Sequence, residues 1–173
     1  YIILLPIFFI SFNVIYITNS DWLYSYGWNR NQIENSTGLS IEQLNSGSDQ
    51  IKSYFNNNEE FLNLIIFEDG IKYSLYNEKE ILHMKDVKHL IKLTQNTIIF
   101  SGLVILVHYL VTIFTTKSLR KSIKQIIKHS KISAYSTVGI LAFFGLIASI
   151  NFTWLFRQFH FISFSNDLWQ LNP

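Results

Sequence analysis

Residues 97–116, TIIFSGLVILVHYLVTIFTT, carry no charged side chain over twenty consecutive positions. A helix of about 20 apolar residues is long enough to cross the hydrocarbon core of a bilayer. Residues 1–18 and 134–156 are uncharged as well. The sequence therefore predicts an α-helical polytopic membrane protein with three spans, at 1–18, 97–116 and 134–157.

The first apolar stretch has two interpretations, a cleaved signal peptide and a retained membrane helix. No small-residue cleavage site follows it and two more spans lie downstream, so the retained helix is favoured. Because Tyr1 already stands inside apolar sequence, we also expect further residues before it.

The segments between the spans differ in charge. Residues 117–133, KSLRKSIKQIIKHSKIS, hold six Lys and Arg residues and no acid. By the positive-inside rule this basic loop is cytoplasmic. Residues 19–96 hold eleven acids against seven bases, a net charge of about −4, and are predicted to form an extracytoplasmic head. Residues 158–173 then form an outer interfacial segment.

The composition excludes several classes of function. With 15% charged residues, the chain is poorer in charge than soluble domains, which have about 25%. The cations of the loop serve topology, so no nucleic-acid partner is predicted. The chain has no cysteine, which rules out both a disulfide framework and a thiolate nucleophile.

The head is predicted to be a small α+β structure. Ser40 with Gln43 forms a capping-box pattern, and Ser48 precedes a second helical pattern, so two short helices are expected. Two β-rich runs flank an Asp-Gly turn and predict a hairpin at 61–76. Asn77 with Glu80 predicts an amphipathic helix from Glu78.

The helix from Glu78 sorts its side chains by period. One side of the helix is apolar and also carries His83; its apolar residues are Met84, Val87, Leu90 and Ile91. The opposite side is cationic and also carries His89; its cations are Lys85, Lys88 and Lys92. Asp86 is close enough to His83 to orient its ring. The amphipathic pattern favours a bend near residues 94–96 that lays this helix along the membrane surface.

The histidines divide by environment. His129 belongs to the basic loop and is interpreted as a solvated residue, whereas His108 lies within the second span, where an ionisable group is a functional candidate or a hydrogen-bonded neutral ring. His160 stands among aromatic residues that indicate the membrane interface. Topology places His83 and His160 at the same outer boundary, which suggests a general acid–base pair. The alternative for His160 is an amphipathic residue of the aromatic belt.

Other chemistries have little support in the sequence. There is no nucleophile elbow, phosphate loop or H-E-x-x-H motif. A zinc site built from His83, His160, Asp86 and Asp167 stays open, although no ligand-spacing motif supports it.

Three segments carry a resemblance to a known family: RNQIENSTGLSIEQL (30–44), EILHMKDVKHL (80–90) and FHFISFSNDLW (159–169). In this order, with spans between them, they resemble the bacterial lipoprotein intramolecular transacylase (Lit) family. The most specific pieces are His83 to Val87, then Phe159 and His160 with the later Trp169.

The resemblance implies transfer of the sn-2 ester acyl chain of a diacylglyceryl-cysteine lipoprotein to the cysteine α-amino group, giving an N-acyl lyso-form. It places the two catalytic histidines at His83 and His160. We expect Asp86 to support His83, and Arg30 and Trp169 to be possible substrate or oxyanion contacts. The alternatives are a surface ion pair for Arg30 and a membrane-belt anchor for Trp169. The resemblance implies a fourth span after residue 173. Because ester and amine belong to one substrate molecule, no covalent acyl-enzyme is needed, and no cofactor is expected.

The expected partners are diacylated lipoproteins and membrane lipid, with the protein acting as a monomer in the bacterial cell membrane. Two alternatives remain. One is a non-enzymatic membrane sensor or accessory protein, and the other is a zinc-dependent interfacial esterase.

Overall fold

The computed structural model describes residues 2–68, 70–116 and 118–171, without the side chain of Glu68. Asp69 of the predicted hairpin turn and Lys117 of the predicted basic loop lie outside these residues, as do Tyr1, Asn172 and Pro173. The elements in chain order are α1 (Leu4–Thr18), α2 (Asp21–Arg30), α3 (Ile33–Thr37), α4 (Ile41–Asn56), β1 (Ile65–Glu68), β2 (Ile71–Ser74), α5 (Glu78–Thr115) and α6 (Leu119–Ser163).

The chain divides into two compact units. The membrane unit comprises Tyr1–Val14 and Leu93–Ile162, and the head unit comprises Ile15–Lys92 and Ser163–Pro173. Among the described residues, α5 and α6 are long and apolar enough to cross a membrane. A third span is possible if α1 and α2, which are bent by 64° relative to each other, act as one broken helix.

Small residues let the helices of the membrane unit approach closely. A Cβ at Gly102 of α5 would lie 3.2 Å from the Phe8 ring of α1. Ser133 of α6 is fully buried and donates to the Ile2 carbonyl at 3.1 Å, and buried Ser122 donates to the Thr112 carbonyl at 3.3 Å. Membrane helices associate through such small and hydroxyl-bearing residues because lipid provides no hydrophobic drive between them.

Two expectations about the helices are wrong. The basic segment is not a loop, since α6 begins at Leu119 and includes the rest of it; the segment contains neither Gly nor Pro, so nothing interrupts the backbone hydrogen bonds. The expected bend at 94–96 is also absent, because α5 runs without interruption from Glu78 to Thr115.

The head core explains why the first part of α5 needs no membrane surface to cover its apolar side. Ile91 is buried in this core, and Met84 and Val87 pack against it. The other core residues come from α4, the strand region and the segment before α4; they are Leu39, Leu44, Tyr54, Phe55, Leu62, Leu64 and Ile66. The apolar side of this part of α5 is thus buried against protein.

A single helix, α4, replaces the two short helices expected after Ser40. The predicted capping box at its start is present, with Gln43 N donating to Ser40 Oγ and Ser40 N donating to Gln43 Oε1 at 2.7 Å. Ser48, the expected second start, is buried inside the helix and donates to the Asn45 carbonyl. A serine that bonds its own helix backbone is compatible with an interior position.

The strands β1 and β2 form an antiparallel pair in which Ile66 lies opposite Tyr73. Gln50 of α4 pairs with the backbone of Ile65, donating to its carbonyl at 2.8 Å and accepting from its N–H at 3.0 Å. Gln43 donates to the Phe67 carbonyl at 2.7 Å. These two glutamine side chains bond backbone groups of β1 that a third strand would otherwise bond. They thereby protect this edge of the sheet from pairing with another chain.

Lys88 does not lie on a wet face as the periodicity indicated. It is only 7% exposed, and its ammonium donates to Asn57 Oδ1 at 2.8 Å and to the Glu59 carbonyl at 2.6 Å. It also lies 4.0 Å from the centroid of the Tyr54 ring. Burial, with nearby Glu60 and Glu59, raises the pKa of Tyr54, so the ring that faces the ammonium stays neutral.

Replacing Lys88 with Met is expected to lower the free energy of unfolding by about 1–3 kcal/mol, because two acceptors lose their buried donor. Urea unfolding in detergent micelles, followed by tryptophan fluorescence, measures this change. Lys85→Met is the matched control, because Lys85 pairs with the exposed Glu60 carboxylate and such pairs contribute less than about 1 kcal/mol. Equal losses in the two variants would contradict the role assigned to Lys88.

Candidate active site

His83 stands on the head portion of α5, five residues after the helix begins at Glu78. Asn77 and Glu80 fix this start reciprocally, with Glu80 N donating to Asn77 Oδ1 at 3.0 Å and Asn77 N donating to Glu80 Oε2 at 2.8 Å. The His83 ring is half-buried and meets the Phe164 ring edge-on, with the centroids 5.2 Å apart. The apolar neighbour expected for this histidine is therefore the segment that follows α6.

That segment, residues 164–171, is held on α5 by polar contacts on either side of His83. Asn166 Nδ2 donates to Asp86 Oδ2 at 2.8 Å, and Lys79 Nζ donates to the Gln170 carbonyl at 2.6 Å. Sequence reasoning selected Asp86 to orient His83 and missed Asn166, which bonds its carboxylate. The contact joins residues 80 positions apart, and no local pattern signals it.

Trp169 belongs to the same segment and is buried, at 9% exposure. This placement differs from that of a membrane-belt anchor, whose indole would face lipid and headgroups. Arg30 ends α2, is exposed, and lies with its guanidinium carbon 5.9 Å from the centroid of the Tyr26 ring. Their expected role as substrate or oxyanion contacts stays a prediction.

His160 lies in the last turn of α6, in the membrane unit, and is 8% exposed. Its Nδ1 is 2.7 Å from the Phe156 carbonyl oxygen. A carbonyl oxygen can only accept, so Nδ1 carries a proton. In the neutral ring the lone pair is consequently on Nε2, which is the atom able to take up a proton.

Aromatic rings enclose the imidazole of His160. The Phe156 ring lies with its centroid 4.0 Å away and tilted by 39°, and the Phe159 ring meets it edge-on at 5.3 Å. These contacts, together with the Nδ1 bond, restrict rotation about χ1 and χ2. The ring is therefore held in one orientation, as preorganised catalysis needs.

The helix that carries His160 is interrupted at Asn151, whose backbone has φ −152° and ψ 80°. Asn151 Oδ1 accepts a hydrogen bond from Trp154 N at 2.9 Å. This is the side-chain contact of a helix N-cap, so the last part of α6 begins as a separately capped helix. Sequence analysis missed the interruption, although Asn three residues before Trp154 within an apolar run is a possible capping signal.

His83 and His160 belong to different compact units, so their meeting at one site stays a prediction. Within the part of the chain that the structure describes, no three His, Asp or Glu side chains gather in a group able to hold a metal ion. Asp167, a member of the zinc hypothesis, accepts a hydrogen bond from Gln170 Nε2 at 3.0 Å.

A second pair of histidines comes together in the membrane unit. His108 of α5 and His129 of α6 have ring centroids 6.0 Å apart. With Ile2 and Ile3 they border a cavity of about 310 Å³. His129 is half-buried and is not the solvated loop residue that was expected, because the basic segment is a helix that brings it against α5.

Comparisons with known proteins agree on one family. The model of the family described as lipoprotein intramolecular transacylase Lit matches residues 1–173. The in meso structure of the membrane integral lipoprotein intramolecular transacylase Lit from Bacillus cereus has a TM-score of 0.76 at 20% sequence identity, covering 100% of this chain and 73% of that one. No curated protein matches the chain.

The structural likeness, at this identity, establishes the fold, and the family model carries the assignment. The resemblance seen in the three sequence segments is confirmed, and the chain belongs to the lipoprotein intramolecular transacylase family.

Proposed function

We propose that this membrane protein moves the sn-2 ester acyl chain of a diacylglyceryl-cysteine lipoprotein to the α-amino group of the same cysteine. The family match along residues 1–173 carries this proposal. The product is an N-acyl lipoprotein that bears a lyso-glyceryl group.

The reaction breaks one carbonyl–oxygen bond and forms one carbonyl–nitrogen bond. The amine attacks the ester carbonyl, a tetrahedral oxyanion forms, and the glycerol oxygen leaves with the proton that the amine gives up. Ester and amine belong to one molecule, so holding that molecule folded can supply about 7–11 kcal/mol through proximity. An acyl-enzyme is unnecessary, and the protein has to provide proton transfer and stabilise the oxyanion.

We assign His160 as the general base. Its Nδ1–H is committed to the Phe156 carbonyl, which leaves Nε2 to accept the amine proton and then deliver it to the glycerol oxygen. An imidazole is suited to both steps because its ordinary pKa, about 6.5, is close to neutral pH.

His83 is assigned to the oxyanion, with Asp86 as its supporting carboxylate. A carboxylate near His83 favours an imidazole that donates through N–H, which is what an oxyanion needs.

The charge pattern supports an outer location for this chemistry. The cations of residues 117–133 are predicted to lie at the cytoplasmic face, and both catalytic histidines are then near the opposite face. Lipoproteins anchored in the outer leaflet present their N-terminal cysteine at that level.

The test is to express the protein in cells whose lipoproteins are diacylated and to analyse one N-terminal lipopeptide by tandem mass spectrometry. Intramolecular transfer leaves the intact mass unchanged, while a fragment that contains the N-acylated cysteine appears. Release of one free fatty acid, with a hydrogen in place of the acyl group on the glyceryl oxygen, would instead indicate the esterase. An unchanged fragment pattern would favour the non-enzymatic alternative. Sensitivity of the reaction to a chelator would point to the zinc site.

A further inference from the structure

The interruption of α6 creates an apolar groove that the chemistry above does not use. The groove has a volume of about 720 Å³ and is lined by residues on both sides of Asn151. Phe143, Phe144 and Ile147 come from before the interruption, and Phe152, Phe156 and Phe159 come from after it. We name this cavity the elbow groove.

The elbow groove and His160 share two walls. Phe156 and Phe159 line the groove, and the same two rings pack on the imidazole with centroids 4.0 and 5.3 Å away. A molecule at this end of the groove therefore contacts the two rings that pack on the imidazole. This connection separates the groove from the other apolar surfaces of the membrane helices.

The groove has the dimensions of a single lipid chain. Ile147 precedes His160 by thirteen residues, which is at most about 20 Å along a straight helix. The acyl region of one leaflet is about 15 Å deep, and the volume lies within the range of about 300–1,000 Å³ that is usual for ligand sites. Its lining is aromatic and aliphatic apart from Gln158, so a charged or sugar-like ligand would lose hydrogen bonds there.

We propose that the elbow groove binds the migrating acyl chain of the substrate, with the ester carbonyl at His160 and the methyl end toward Ile147 and Phe144. This inference rests on the proposed function and adds to it a determinant of chain length. Each methylene group buried against apolar side chains is worth about 0.8 kcal/mol in transfer, so the far end of the groove decides how many carbons contribute to binding.

Substitution of Ile147 by Trp tests the assignment, because the larger ring fills the far end. Synthetic diacylated lipopeptides that differ only in the length of the sn-2 chain are mixed and offered to the purified protein in nanodiscs. The ratio of long to short N-acyl products is expected to fall by about 15-fold if two methylene groups lose their place, at a factor of about four for each. Ile140→Trp, at an exposed position of α6 outside the groove, should leave the ratio unchanged.

An unchanged ratio in Ile147→Trp, or the same change in Ile140→Trp, would overturn the assignment. A second measurement needs no turnover: a lipopeptide with a photoreactive diazirine near the end of its sn-2 chain is expected to crosslink within residues 143–147. Excess unlabelled lipopeptide should suppress this crosslink, and excess phospholipid should not.

The two proposals fail in different ways. Crosslinking at 143–147 without any N-acyl product would show that the groove binds the sn-2 chain but would overturn the transacylase. N-acyl product with crosslinks elsewhere, or with crosslinks that phospholipid suppresses, would overturn the groove assignment alone.

Discussion

Replacing His160 with Asn is expected to lower the rate of N-acylation by at least about 100-fold, because general acid–base catalysis contributes a factor of about 10² to 10⁴. The amide of Asn can place its NH₂ group near the position of Nδ1 and keep the bond to the Phe156 carbonyl. What it removes is Nε2, the atom assigned as the base. The readout is the initial rate of formation of the N-acyl cysteine fragment from a diacylated lipopeptide.

His160→Asn separates loss of the base from loss of stability, because it keeps the buried hydrogen bond to the Phe156 carbonyl. His160→Ala loses both the base and the donor, so its unfolding midpoint should be lower than that of His160→Asn. His89→Ala provides the matched control, since His89 is exposed on α5 and has no assigned role. Activity of His160→Asn within a few fold of the parent protein would show that Nε2 is not the base.

The parts of the fold that follow local rules could be predicted from the sequence. Capping boxes at Ser40 and Asn77 are present where the pattern placed them, because the partners are three residues apart and local chain geometry brings them together. The same holds for the apolar runs, whose length and lack of charge suffice to identify α5 and α6 as candidate membrane helices.

The errors occurred where a distant residue decides the environment. Periodicity assigned Lys88 to a solvated face, yet Asn57 and the Glu59 carbonyl, about thirty positions earlier, accept its hydrogen bonds. The bend at residues 94–96 is expected because the apolar side of an amphipathic helix has to be buried. The sequence pattern does not say whether lipid or protein buries it. The head core covers it.

In the candidate site, too, some features follow from the local sequence and others depend on distant residues. Residue type and position along the chain were enough to select His83 and His160, and the family match adds support for the reaction. The contacts that orient these side chains have no local sequence signal. They are the Nδ1 bond to the Phe156 carbonyl, the Phe164 contact and the Asn166 bond to Asp86. The orientation of the His160 ring follows the backbone direction of the last part of α6.

That direction is set at Asn151, and replacing this residue with Leu is expected to lower the rate of N-acylation by about 10- to 100-fold. Leu cannot accept the Trp154 N–H that Asn151 Oδ1 now accepts, and it favours continuation of the helix. The last part of α6 would then continue in the direction of the helix before residue 151 and carry His160 away from the ester. A displacement of about 1 Å can cost about 100-fold in rate.

Asn151→Ser is the matched variant, because Ser caps helices about as well as Asn, and its activity should stay within a few fold of the parent. The Leu variant should unfold at the same or a higher temperature, since a continuous helix keeps all its backbone bonds, and its loss should appear in kcat more than in KM. If Ser and Leu variants lose activity alike, capping by residue 151 does not position His160. If only the Leu variant loses activity, the hydrogen bond between Trp154 N and Asn151 Oδ1 sets the direction of the last part of α6 and thereby positions His160.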